Sequence, residues 1–173
     1  MTTLLATLAI AKAFQGQDSN PNATKQTKGD NPIFKQAMED TKFTHTVSKS
    51  GLSYVVEFSV KDLPNRIVWV TRETNVKNDI ATQSIYTEVW SDKGAPPVDV
   101  LVKTVLRPAK KLGNYYVMKF DDGFYAIRFM ATFDLAGLEA SGETRTKAIE
   151  RLKDTIYFVN QVGEETEKEI REK

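Results

Sequence analysis

From Phe43 to Val60 apolar and polar residues alternate. Phe43, His45 and Val47 are separated by threonines, and Leu52, Tyr54, Val56, Phe58 and Val60 follow across Ser50-Gly51. A period of two puts one set of side chains on one face, so the spacing predicts two strands of a hairpin. Arg66–Arg72 (RIVWVTR) is rich in β-branched residues and tryptophan and predicts a third strand. A polar connection through Asn75–Thr82 leads to a fourth, Ile85–Ser91 (IYTEVWS), which Asp92-Lys93-Gly94-Ala95-Pro96-Pro97 ends. The period then changes. Val98, Leu101, Val102, Val105 and Leu106 recur at three and four residues, which predicts a helix of about three turns, closed by Pro108 and Gly113.

Two apolar-rich runs, Tyr115–Phe120 and Phe124–Phe133, flank Asp121-Asp122-Gly123, where the glycine can supply the positive φ of a tight turn. They predict an aromatic hairpin. After the connection 134–142, Ala148, Ile149, Leu152, Ile156, Val159 and Val162 mark one face of a long helix able to cover that hairpin. Past Gly163 the run EETEKEIREK reads as a solvated helical extension. At the other end, Asn31 can cap a helix and Pro32 suits its first position, with Ile33, Phe34, Ala37 and Met38 on the apolar side and an end near Thr41. The expected fold is α+β: an antiparallel sheet of about six strands with helices on one face, in the order α-β-β-β-β-α-β-β-α.

Side chains alternate across a sheet, so assigning one face assigns the other. With Ile85, Thr87, Val89, Tyr116, Met118, Phe120, Tyr125, Ile127 and Phe129 toward the helices, the opposite face receives Tyr86, Trp90, Tyr115, Val117, Arg128 and Met130. A solvated face should be mostly polar, whereas aromatics, Arg and Met are enriched in interface cores. Trp90 and Tyr115 are therefore the expected anchors of a partner-binding face that includes Tyr86, Arg128 and Met130. The competing expectation is that the linker or a loop covers it.

Before this domain, residues 1–13 (MTTLLATLAIAKA) hold a short apolar run, Leu4–Ala11, ending in Ala11-Lys12-Ala13, a small-x-small pattern that fits a signal peptide and a periplasmic or secreted protein. No basic residue precedes the run, so an amphipathic N-terminal segment on a cytoplasmic protein is the alternative. The run is too short to cross a bilayer, which takes roughly 20 apolar residues. Residues 14–31 (FQGQDSNPNATKQTKGDN) offer little apolar surface to offset ordering entropy and are expected to be a disordered linker. Residues 32–171 form the single expected domain.

The 24 Lys and Arg nearly balance 23 Asp and Glu, so no global field recruits nucleic acid or an anionic membrane. The chain has no cysteine and one histidine, His45, which removes thiol chemistry and multi-histidine metal sites. Phosphate-loop, dinucleotide, zinc-protease and serine-hydrolase motifs are missing. Asp121 and Asp122 are explained by turn chemistry, Glu57 and Glu88 by solvent-facing strand positions, and Arg66, Arg72 and Arg128 by rims whose stems cover apolar surface. The expectation is a non-enzyme without cofactor or metal.

Arg66-Ile67-Val68-Trp69-Val70 as a central strand, Pro96-Pro97 opening a helix, the Leu112-Gly113 break before an aromatic strand, and a closing helix rich in Ile, Leu and Val carry a resemblance over residues 32–171. The chain resembles the type III secretion chaperone-like fold, and within it the YbjN-like domains of bacteria. The resemblance implies a protein-binding, often dimeric module with no catalytic residues. Two functions follow as expectations: a chaperone-like interaction domain that binds a partner segment or itself, and, alternatively, a helix-grip protein that holds a small apolar molecule between a curved sheet and the long helix. A void between helix and sheet would favour the second, a filled core with an open aromatic face the first.

Overall fold

A computed structural model describes residues 25–27, 31–59, 65–107 and 112–172. The expected signal peptide, and the expected linker apart from Lys25–Thr27 and Asn31, lie outside the described residues. Chain order is β1 (Lys25–Thr27), α1 (Pro32–Asp40), β2 (His45–Val47), β3 (Ser53–Phe58), β4 (Arg66–Thr71), β5 (Thr74–Lys77), β6 (Ile80–Lys93), α2 (Val98–Lys103), β7 (Gly113–Lys119), β8 (Phe124–Asp134) and α3 (Gly142–Arg171). The eight strands form one antiparallel sheet, so the chain has an α+β fold.

The long strand β6 organises the sheet. One edge pairs with β8 over most of its length, and the other pairs first with β5 and then with β4. Outward from there, β3 and β2 follow β4, β1 follows β5, and β7 follows β8. The sheet exceeds the expected six strands for two reasons. The stretch expected to be a polar connection, Asn75–Thr82, is a hairpin, because Asn78 and Asp79 adopt φ of 50° and 62° and close a two-residue turn between Lys77 and Ile80. Lys25–Thr27, within the polar stretch expected to be linker, pairs by its backbone with β5, a mode of binding that needs no apolar side chain. The interruption between β4 and β5 is held by Gln83, fully buried, whose amide meets the hydroxyls of Thr71 and Thr74 at 3.0 Å each.

One face of the sheet carries the core. Val56, Val68, Thr87, Phe129 and Tyr115 form one cross-strand row, and Tyr54, Val70, Ile85 and Ala131 form the next, all buried. Helix α3 covers them with Ala148, Leu152, Ile156, Val159 and Val162, as the spacing predicts, while Ile149 sits at the margin. Asn31 caps α1 through Oδ1, accepting from the amides of Ile33 and Phe34 at 3.0 and 3.2 Å. Phe34 then packs against Tyr54 and Phe133, and Asp40 meets Arg145 of α3 at 2.8 Å.

Helix α2 departs from its expected form. It has six residues rather than about three turns, and it buries Val100, followed by Thr104, while Val98, Val102 and Leu106 are exposed. Polar bonds tie it to α3. Lys103 Nζ donates to the carbonyls of Glu169 and Glu172 at 2.5 and 2.8 Å, and Thr104 Oγ1 donates back to Val100 O at 2.7 Å. The two Lys103 bonds satisfy carbonyls at the end of α3, and Leu101 and Val105 pack at the margin of the core beside the inward Val100–Thr104 side.

A candidate partner-binding face

The face away from α3 is built by the same pairing. Val55, Trp69, Tyr86, Met130 and Asn114 stand side by side, and Glu88, Arg128 and Tyr116 form the neighbouring row. Trp69 and Tyr86 stack at 5.5 Å with their planes 12° apart. The Arg128 guanidinium lies 4.9 Å from the Tyr86 ring centre and 5.5 Å from that of Phe120, within the range of cation–π attraction. Its Nε sits 3.5 Å from Glu88 Oε2, near enough for charge attraction but without a hydrogen bond. The row is half-buried: Arg128 and Glu88 side chains are 24% and 28% exposed. An Arg held near two aromatic rings and a carboxylate can contact apolar surface and still offer donors at its edge.

Of the expected site residues, Tyr86, Arg128 and Met130 are together on this face. Tyr115 and Trp90 are not. Tyr115 pairs with Phe129, is buried, and lies 2.6 Å from Thr166 Oγ1 of α3. Thr166 gives its own proton to Val162 O at 2.7 Å, so the phenol is the donor in the first bond. Burial pushes the Tyr115 phenol above its ordinary pKa. Trp90 is turned by a bulge: between Glu88 and Trp90 the register with β8 shifts, so Trp90 lies opposite Ile127 and packs against the core.

Their places on the open face are taken by Tyr116 and Trp69. The first was legible. A turn centred on Asp122 pairs residues equidistant from it, which sets Tyr115 beside Phe129 and hence on the helix side. The second follows from Trp69 pairing with Tyr86, which no local pattern announces.

The displaced Trp90 lines a cleft of about 300 Å³ with Glu88, Val89, Ser91, Glu167, Ile170 and Arg171. Its two carboxylates are already engaged, Glu88 by Arg128 and Glu167 by Arg66 at 2.8 Å. His45 has a structural setting, with Nδ1 2.9 Å from the Phe43 carbonyl and its ring edge-on to Tyr54. At the hairpin tip, Asp122 Oδ1 accepts from the Phe124 amide at 3.1 Å, which is turn chemistry.

Among the described residues no helix is long and apolar enough to cross a membrane. Compared with protein-family models, curated proteins and solved structures, the chain gives no match.

Proposed function

We propose that this chain is a non-enzymatic, chaperone-like interaction domain that binds a segment of a protein partner on the sheet face opposite α3. One observation carries the reading: Trp69, Tyr86, Tyr116, Met130 and Arg128 lie together on a face that no helix among the described residues covers. A partner segment would bury the aromatic row and use the guanidinium edge for orientation. The alternative, a small apolar ligand between helix and sheet, needs empty space there. Ile85, Phe129, Leu152, Ile156 and Val159 fill it, each 0% exposed. The apolar run before Ala11-Lys12-Ala13 supports a periplasmic or secreted setting, which intact-mass measurement of the native protein tests.

A photo-cross-linking amino acid at Tyr86, with Glu150 on the exposed side of α3 as control, tests the face in the native host. A discrete protein adduct from position 86, lost with Arg128→Glu and missing at position 150, is the expected result. Equal labelling at both positions, or none at 86, overturns the reading.

A further inference from the structure

The open face has apolar surface on both sides of one cation. Toward β4 lie the stacked rings of Trp69 and Tyr86. Toward the tip of the β7–β8 hairpin lie Met118, Phe120 and Phe124. Met118 and Phe124 keep the alternation of Tyr116 and Arg128 along their strands, and Phe120, whose amide donates to the Phe124 carbonyl at 2.9 Å, continues it. These three are 41%, 37% and 44% exposed. Arg128 stands between the two groups, with its guanidinium near both the Tyr86 and the Phe120 rings.

This cation lacks the partners its burial calls for. Its side chain is 24% exposed, so it has lost most of its water. Nε is buried without a hydrogen-bond partner, and Glu88, at 3.5 Å, is the one carboxylate that the described residues bring within 4 Å. Ring faces attract the charge but leave the in-plane donors open. A guanidinium is a planar fork of N–H donors that a carboxylate matches in bidentate fashion. A wholly apolar segment laid over it would bury those donors unmade, and a basic one would be repelled.

We infer that Arg128 selects the partner: the segment bound on this face carries an Asp or Glu side chain with a large apolar residue on either side. The carboxylate meets the Arg128 fork, one apolar residue covers Trp69 and Tyr86, and the other covers Met118, Phe120 and Phe124. Because apolar surface continues past Arg128 in both directions, the acid lies within the segment rather than at its end. This inference rests on the function proposed above and adds the chemistry of the partner.

The test exposes the full chain to a random dodecapeptide display library, with Trp69→Ser and Arg128→Gln chains for comparison. Peptides that bind the parent and lose binding to Trp69→Ser are the ones on the open face; should that variant not fold, Tyr116→Ser replaces it. These peptides are expected to carry Asp or Glu between two large apolar residues. In synthetic copies amidated at the C terminus, changing that acid to its amide should weaken binding to the parent about tenfold or more and leave binding to Arg128→Gln unchanged. Face-directed peptides without an enriched acid, or an acid-to-amide change that costs the same against both chains, overturn the inference while the face stands as a binding surface. A library without any peptide sensitive to Trp69→Ser overturns it too, and labelling at position 86 then decides separately whether the face binds a protein. A parent dimer that Trp69→Ser dissociates in sedimentation would give the face to a second copy and overturn it as well.

Discussion

Gly163 of α3 passes so close to Thr87 of β6 that a Cβ placed on it would lie 2.6 Å from Thr87 Cγ2 and 2.8 Å from Arg66 Nη1. The helix is seated on the sheet through a missing side chain. A mid-helix glycine costs about 0.5–1 kcal/mol relative to alanine, so Gly163→Ala should stabilise if helix propensity decided the matter. Both clashing groups are held, Thr87 by its bond to Ile67 O at 2.8 Å and Arg66 by Glu167. Overpacking a filled site typically costs about 1–3 kcal/mol. Gly163→Ala is therefore expected to lower the urea unfolding midpoint, by a net of about 1–2 kcal/mol. A raised midpoint would mean that α3 can lift off β6 freely.

Tyr115→Phe keeps the packing against Phe129 and removes the bond to Thr166. The expected loss is about 0.5–1.5 kcal/mol near neutral pH, because Thr166 remains bonded to Val162 O. The pH dependence is the sharper test. Burial raises the folded-state pKa of this phenol, so its protonated form is favoured by folding. That contribution is fully present below the unfolded tyrosine pKa of about 10 and is lost as pH rises through the higher folded value. The parent should lose stability more steeply than the variant across that alkaline window. Parallel slopes would show that Tyr115 is solvated.

At the other end of α3, hydrogen bonds from Arg145 and then Gln36 hold Asp40 below the ordinary carboxylate pKa. A lowered folded pKa gives stability above the unfolded value of about 3.9, lost as pH falls through the folded one. Arg145→Gln should move the Asp40 titration, followed by side-chain carboxyl NMR, upward toward the ordinary value. An unmoved titration would mean that the contact between α1 and α3 is not formed in solution. Little effect on neutral-pH stability is expected from so exposed a pair.

These sites also mark where the sequence was readable. Leu152, Ile156 and Val159 follow a single helical period against a continuous sheet, and all three are buried as the spacing requires. Strand identity in the β3, β4 and β8 regions was equally plain from alternation. What failed were features set by backbone geometry or by distant partners. The bulge after Glu88 turns Trp90 through a register shift that leaves the residue pattern unmarked. The Asn78-Asp79 turn was hidden because its flanks are polar. In α2 only Leu101 and Val105 of the apolar stripe pack against the core, and Lys103 ties the helix to the end of α3 through carbonyls no local pattern announces. On the candidate face Tyr86, Arg128 and Met130 were legible because they keep the phase of their own strands. Trp69 was not, since only the pairing of β4 with β6 brings it there.

Arg66 starts β4 beneath α3, with its side chain 3% exposed, and Glu167, 26% exposed, reaches it from above. The Nε of Arg66 is buried without a hydrogen-bond partner, so the guanidinium depends on Glu167 for much of the compensation for leaving water. Removing the carboxylate and removing the cation should therefore have unequal effects. Glu167→Gln leaves a buried, uncompensated charge, and losing a charged hydrogen-bond partner typically costs about 1.5–3 kcal/mol. Arg66→Met leaves Glu167 free to turn toward solvent and toward Arg171, whose Nη2 is 3.9 Å away, so it should cost less. The double variant, Arg66→Met with Glu167→Gln, should regain part of the loss seen for Glu167→Gln alone. Unfolding midpoints of the three variants and the parent complete a double-mutant cycle. Equal losses for the two single variants, with additive behaviour in the double, would show that Arg66 is hydrated and that the pair contributes nothing to seating α3.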